Sequence, residues 1–265
     1  MSGLIPSRPD LPPPPGGGAW VDPVPKATWK WYVIIPIAFG ALLLGAIPAA
    51  LVYLASGKEP STAGTLGGLD FFANALDQLV VLGVLLVYLH LRHPGWRRVI
   101  RFPSRREAPK ELGIGVGLGI AATVALGIVV SVLLQPLFRS ITDRDVKPAE
   151  QVGTGIGGWG AVAFVVAVVI VAPVVEEFLF RGLLFRSLRD PYGFWVGALG
   201  SAFVFALAHT GQGGLADVLL LQIAIGLFGV FLAWIYEWRG SLGANIVAHA
   251  TFNLITVLTV LKVFG

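Results

Sequence analysis

The sequence reads as an all-α, polytopic membrane protein: a bundle of about seven transmembrane helices (seven or eight). Composition is the first reason. Of 265 residues, 55% are hydrophobic and only 13% charged, and mean hydropathy is +0.79. A soluble domain carries about 25% charged residues, so roughly half the polar surface that water would require is missing. The second reason is that seven apolar stretches each suffice, at about 1.5 Å rise per residue, to cross a hydrocarbon core of about 30 Å. The third is that these stretches are continuously apolar. A barrel would need alternation, whereas a helix satisfies its own backbone in lipid.

Residues 1–30, with Pro12 to Pro15 and Gly16 to Gly18, have no apolar periodicity and read as a disordered cytoplasmic tail. The long uncharged run at 31–57 starts too late for a cleavable signal and should be a retained span. Six more spans follow at 71–91 (interrupted by Asp77), 112–138, 153 onward past 175, 194–211, 218–236 and 242–263. The chain accordingly divides into the tail, residues 31–150 with the first helices and a basic loop, and residues 151–265 as a C-terminal core. Gly113, Gly115, Gly117 and Gly119 form overlapping small-xxx-small patterns in the third span, the pattern of close helix packing.

Charge gives sidedness. Arg92, Arg97, Arg98, Arg101, Arg105, Arg106 and Lys110 crowd one loop, which marks the cytoplasmic face. With seven spans, Arg8, Lys26, Lys30, Arg186, Arg189 and Arg239 fall on that face too, thirteen basic residues against five (Lys58, Arg139, Arg144, Lys147 and Lys262) on the other. The N-terminus is expected inside and the C-terminus outside. The net charge of +4 is small, and the expected partners are the bilayer and a membrane protein or peptide, with no nucleic acid. Absence of cysteine excludes disulfides, thiolate metal sites and Cys nucleophiles. Arg outnumbers Lys thirteen to six and Ala, Gly and Val dominate, as in a GC-rich bacterial genome; the plasma membrane is then the expected location.

Ionisable groups within spans are costly, so each is a functional candidate. They are Asp77, which reads as structural or partner-pairing, Glu176, Glu177 and Arg181 in the fourth span, His209 in the fifth, and His249 in the seventh with Asn253 one turn on. Glu177 and Arg181 stand at i and i+4, the favourable order for a helical ion pair. Glu176 points about 100° away and lacks that cation, which leaves its carboxylate free to act as a general base. The fourth span should end near Arg189, making it long and bent at Pro173. Counted from the inner end, Glu176 is about 20 Å deep, His209 about 22 Å, and His249 and Asn253 about 12 to 18 Å. One polar cluster on three helices is geometrically allowed.

Glu176-Glu177-xxx-Arg181, Phe205-xxx-His209 and His249-xxx-Asn253, in this order on successive apolar helices, resemble the three motifs of the CPBP intramembrane proteases. That family includes the type II CAAX prenyl endopeptidases and the Abi proteins of bacteriocin self-immunity. The resemblance covers about residues 155–263. It implies an endopeptidase that hydrolyses a peptide bond of a membrane-associated protein or peptide: Glu176 activates water, His209 assists, His249 and Asn253 bind the oxyanion or complete the site, and Glu177, Arg181 and Phe205 support it. The implied cofactor is either none or a divalent metal such as zinc, held in that case by Glu176, His209 and His249, since two His and one Glu leave a position for water. A glutamate acting as metal ligand cannot also serve freely as base, and the glutamate-base reading is favoured. The alternative is a carrier, scaffold or immunity protein that uses the cluster to bind an ion or partner. His-Glu-xx-His, Gly-x-Gly-Asp and Gly-x-Ser-Gly motifs are absent. In Gly240-Ser241-Leu242-Gly243 the serine stands one place early and reads as a helix N-cap.

Overall fold

A computed structural model describes residues 25–60, 67–148, 158–209, 211 and 213–261. Most of the tail and the ends of the stretches read as beginning at 153 and ending at 263 lie outside them. All regular structure among the described residues is helical. We number the helices α1 (Trp31–Ser56), α2 (Gly68–Arg92), the single turn α3 (Trp96–Val99), α4 (Ala108–Thr142), α5 (Trp159–Tyr192), α6 (Phe194–Leu207), α7 (Leu215–Arg239) and α8 (Gly243–Val260).

Five of these, α1, α2, α4, α5 and α7, are long and apolar enough to cross a membrane. The exterior is studded with apolar side chains such as Phe39, Leu43 and Leu54, the surface of an integral membrane protein solvated by lipid. The stretch expected to span 194–211 is shorter as a helix. Its 14 residues rise about 21 Å, less than the core thickness. It stops because Ala208 closes the last turn and a glycine-rich segment containing Gly211, Gly213 and Gly214 follows. His209 thus sits just beyond a helix end.

Small residues set two close approaches. On α4, a Cβ at Gly115 would lie 2.5 Å from Val247 Cβ and one at Gly119 would lie 2.6 Å from the Ala248 carbonyl oxygen, so α4 presses directly on α8. Gly113 and Gly117 face open space. On α1, a Cβ at Gly45 would come within 1.9 Å of Asp77 Oδ1 on α2. Asp77 is therefore lodged in the α1–α2 seam, where Oδ1 is buried without a hydrogen-bond partner.

Helix α5 is the axis of the molecule. It covers 34 residues, as the long fourth span required, and shifts to π-helical hydrogen bonding at Val166–Val171 and again at Glu177–Phe185. Pro173 lies between the two segments and contributes no N–H. Phe178, Leu183 and Phe185 on its second half are fully buried among α1, α2 and α7 residues.

The last residues of the predicted tail are packed against α5. Trp29 is 1% exposed and its indole N–H donates to the Leu183 carbonyl at 2.9 Å. The Ala27 N–H donates to Asp190 Oδ2 at 2.6 Å, and Arg186 Nη2 donates to the Pro25 carbonyl at 2.9 Å. Residues 25–30 form a strap. Nearby, Arg189 pairs with Glu237 to tie α5 to α7, and Arg239 pairs with the buried Glu111 to tie α7 to α4.

Glu111 also corrects one expectation. Ser241 does not cap α8: the helix begins after Leu242 with no side-chain cap bond. Glu111 Oε2 instead accepts the Ala244 N–H at 3.1 Å. A carboxylate brought across from α4 satisfies the helix start and its dipole better than the hydroxyl two residues before it.

Candidate active site

Adjacent residues on α5 carry two carboxylates with opposite surroundings. Glu177 is fully buried and uses both oxygens. Its Oε1 accepts from Arg181 Nη1 at 2.9 Å and from His249 Nδ1 at 2.9 Å, and its Oε2 accepts from Asn245 Nδ2 at 3.2 Å. Arg181, also without exposure, donates from Nη2 to the Gly229 carbonyl at 3.0 Å and lies over the Phe205 ring at 4.5 Å. This is a buried ion pair with hydrogen bonds from three helices, the condition under which such a pair tolerates low dielectric.

Glu176 is the contrary case. Its Oε2 is buried and has no hydrogen-bond partner. It faces His209 Nε2 at 3.8 Å and His249 Nε2 at 3.7 Å. The far nitrogen of each ring determines what faces Glu176. His249 Nδ1 meets a carboxylate and His209 Nδ1 meets the Phe205 carbonyl at 2.7 Å, and both acceptors require N–H at Nδ1. In its neutral form each imidazole then turns an unprotonated Nε2 toward Glu176.

Three acceptor atoms therefore converge without a donor between them. A water placed at about 2.8 Å from Glu176 Oε2 and from one imidazole nitrogen would span either separation, donating one hydrogen to each. Tetrahedral ligands at about 2.1 Å from zinc would stand closer to one another, about 3.4 Å apart. Among the described residues no group of three or more His, Asp or Glu side chains is arranged to hold a metal ion. The separations of 3.7 and 3.8 Å have room for a bridging water.

Phe205 organises the cluster from α6. Its ring is 4.5 Å from that of His209 and 5.8 Å from that of His249, both edge-on, while its carbonyl orients His209. The Phe205-xxx-His209 spacing puts both on one helical face at the point where α6 ends.

Asn253 lies on the same face of α8 as His249, and its Nδ2 donates to the Val168 carbonyl at 2.8 Å. Val168 belongs to the first π segment, where a carbonyl takes the N–H five residues ahead; here that residue is Pro173, which has none. The amide fills that gap with one N–H and retains a second. The structure thus joins Glu176, His209 and His249 directly, and links Asn253 to the backbone leading into Glu176. Asn245 is a residue that the motif reading omitted. It is fully buried and bonds both Glu177 and the Leu232 carbonyl. The signal was present: Asn245, His249 and Asn253 repeat at i, i+4 and i+8 on one stripe of α8.

Residues 158–255, which contain every one of these side chains, match the family model "Type II CAAX prenyl endopeptidase Rce1-like". The match bears out the resemblance carried by the three motifs. Across most of its length the chain is also similar to "Putative membrane peptidase YdiL" of Bacillus subtilis (strain 168), at 25% identity over 241 residues, 88% of this chain and 89% of that one. It is 24% identical over 182 residues, 66% of this chain and 67% of the other, to "Membrane-embedded CAAX protease MroQ" of Staphylococcus aureus (strain USA300). No solved structure matches.

Proposed function

We propose that the protein is an intramembrane endopeptidase that cleaves a membrane-associated protein or peptide with a water activated by Glu176. One observation carries the reading: a buried carboxylate oxygen without a partner, facing two unprotonated imidazole nitrogens at 3.7 and 3.8 Å. A water held there donates a hydrogen to Glu176 and is oriented by His209. Its oxygen attacks the peptide carbonyl carbon as its proton passes to Glu176. The oxyanion that forms is met by the second N–H of Asn253. His249 completes the site by helping His209 to orient the water through Nε2, and Glu177 fixes its ring through Nδ1, the part a carboxylate plays behind a catalytic imidazole. The proton on Glu176 then goes to the leaving amine and the C–N bond breaks. The similarity to membrane peptidases and a CAAX protease supports this class of reaction.

The test is cleavage of a membrane-proximal peptide by purified protein carrying Glu176→Gln. The amide keeps the shape and removes the base, so turnover should fall by about 1,000-fold or more while folded yield is unchanged, because Glu176 holds no other side chain in place. Full activity in the variant would overturn the glutamate base. Activity lost to a chelator and restored by zinc would make Glu176 a ligand.

A further inference from the structure

At the end of the bundle where α1 begins and α2 finishes, a cavity of about 430 Å³ lies between the strap and the two helices. Lys30 and Arg92 line it together with Trp29, Tyr88 and His93, and no acidic residue does. Among the described residues neither Lys30 nor Arg92 has an ion pair or hydrogen bond through its side chain. The acidic group nearest along the strap, Asp190, is already engaged by the Ala27 N–H, Arg186 and Arg189. The polar floor is prearranged: Thr28 Oγ1 and the Tyr88 hydroxyl hold the two His93 nitrogens at 2.8 and 3.0 Å. Two positive charges thus line one recess with nothing of their own to neutralise them.

The surroundings identify the anion. The recess opens beside Trp31 and Tyr32, both exposed, in the first turn of α1, and Leu91, 70% exposed, in the last turn of α2. Amphipathic aromatics followed along each helix by bare apolar side chains mark the level where lipid headgroups meet acyl chains. A basic recess between helices at that level suits a phosphate attached to two acyl chains better than a free anion. We propose that this cavity binds the headgroup of an anionic phospholipid, with Lys30 and Arg92 on the phosphate. The ligand would also hold the strap to α5, since Trp29, one wall of the cavity, is bonded to Leu183, seven residues beyond Glu176. The site stands apart from the peptidase reading and does not depend on it.

The experiment uses the full chain in neutral detergent. Native mass spectrometry and thermal unfolding are read with added phosphatidylglycerol, phosphatidylcholine or inorganic phosphate. One phosphatidylglycerol retained per chain and a raised Tm are expected, with no effect of phosphatidylcholine or inorganic phosphate. Lys30→Gln/Arg92→Gln should lose most of the retained lipid and of the Tm rise, and Lys30→Arg/Arg92→Lys should keep both. Arg105→Gln/Arg106→Gln, which removes two exposed loop charges outside the cavity, should behave as wild type. If the double glutamine variant is unfolded, the single variants read the same loss. Equal lipid retention with and without Lys30 and Arg92 would overturn the proposal. So would an equal Tm rise from inorganic phosphate, or equal loss in the Arg105/Arg106 variant.

Discussion

Glu176 and Glu177 are chemically identical neighbours, and position on the helix decides their roles. A turn of about 100° per residue separates them, so one carboxylate enters the α5–α7–α8 seam and the other turns toward the imidazoles of α6 and α8. Glu177 accepts three side-chain donors while Glu176 Oε2 accepts none. Removing one partner of the buried pair leaves the other's charge uncompensated, a cost of roughly 3 to 5 kcal/mol. Arg181→Ala should therefore lower the folded yield and the Tm of detergent-purified protein, with catalysis lost as a consequence of instability. A Tm equal to wild type would mean that Glu177 is adequately held by His249 and Asn245 alone. The i, i+4 pair and the free Glu176 were legible in the sequence because helical periodicity alone determines them. The part of Asn245 was not, because an asparagine in an apolar helix has the same appearance whether it bonds a carboxylate or any neighbouring carbonyl. Nor was the bond from Asn253 to Val168, which depends on the π register ahead of Pro173.

At the scale of helices, the α4–α8 contact bears on whether His249 reaches its partners, since Val247 and Ala248, which α4 touches, immediately precede it in sequence. The glycine stripe was readable as a packing surface, but four glycines at every second position cannot say which pair faces the neighbour. The structure assigns Gly115 and Gly119 to α8 and leaves Gly113 and Gly117 open. Gly119→Ala would drive a methyl into a backbone oxygen that cannot move without shifting α8, a cost of about 1 to 3 kcal/mol. Gly117→Ala meets nothing within 4 Å and should leave stability unchanged or slightly raised through helix propensity. Thermal unfolding of the two variants side by side checks this, and equal Tm values would remove α4 from the support of the site. The shortness of α6 belongs to the same scale. No Asp, Glu, Lys or Arg interrupts the sequence between Phe194 and Gly211, so the run reads as one span. The chain leaves the helix after Leu207, which places His209 just beyond the end of α6 and beside Glu176.

Across the whole molecule, contacts between helix ends sort the chain into two faces. Trp29 with Leu183, Arg189 with Glu237, and Arg239 with Glu111 bring together the start of α1, the ends of α5 and α7, and the start of α4. Arg144 with Asp217, at 2.8 Å, joins the segment after α4 to the start of α7 at the opposite end. Successive segments must alternate in direction to make these pairs. The twelve basic residues at or near 92–111, 186–189, 239 and the tail that the sequence placed inside, apart from Arg8, which lies outside the described residues, then belong to the face that carries Glu111 and Trp29. The rule that cytoplasmic loops hold the excess of Lys and Arg predicts that this is the inner face. Reporter fusions after Arg101 and after Gly265 should accordingly report the cytoplasm and the exterior. The short helices α6 and α8 make the second fusion informative, because α8 has 18 residues and reaches only about 27 Å. If both fusions report the cytoplasm, α8 turns back within the membrane, and peptide would have to approach Glu176 and His249 past a re-entrant end instead of between crossing helices.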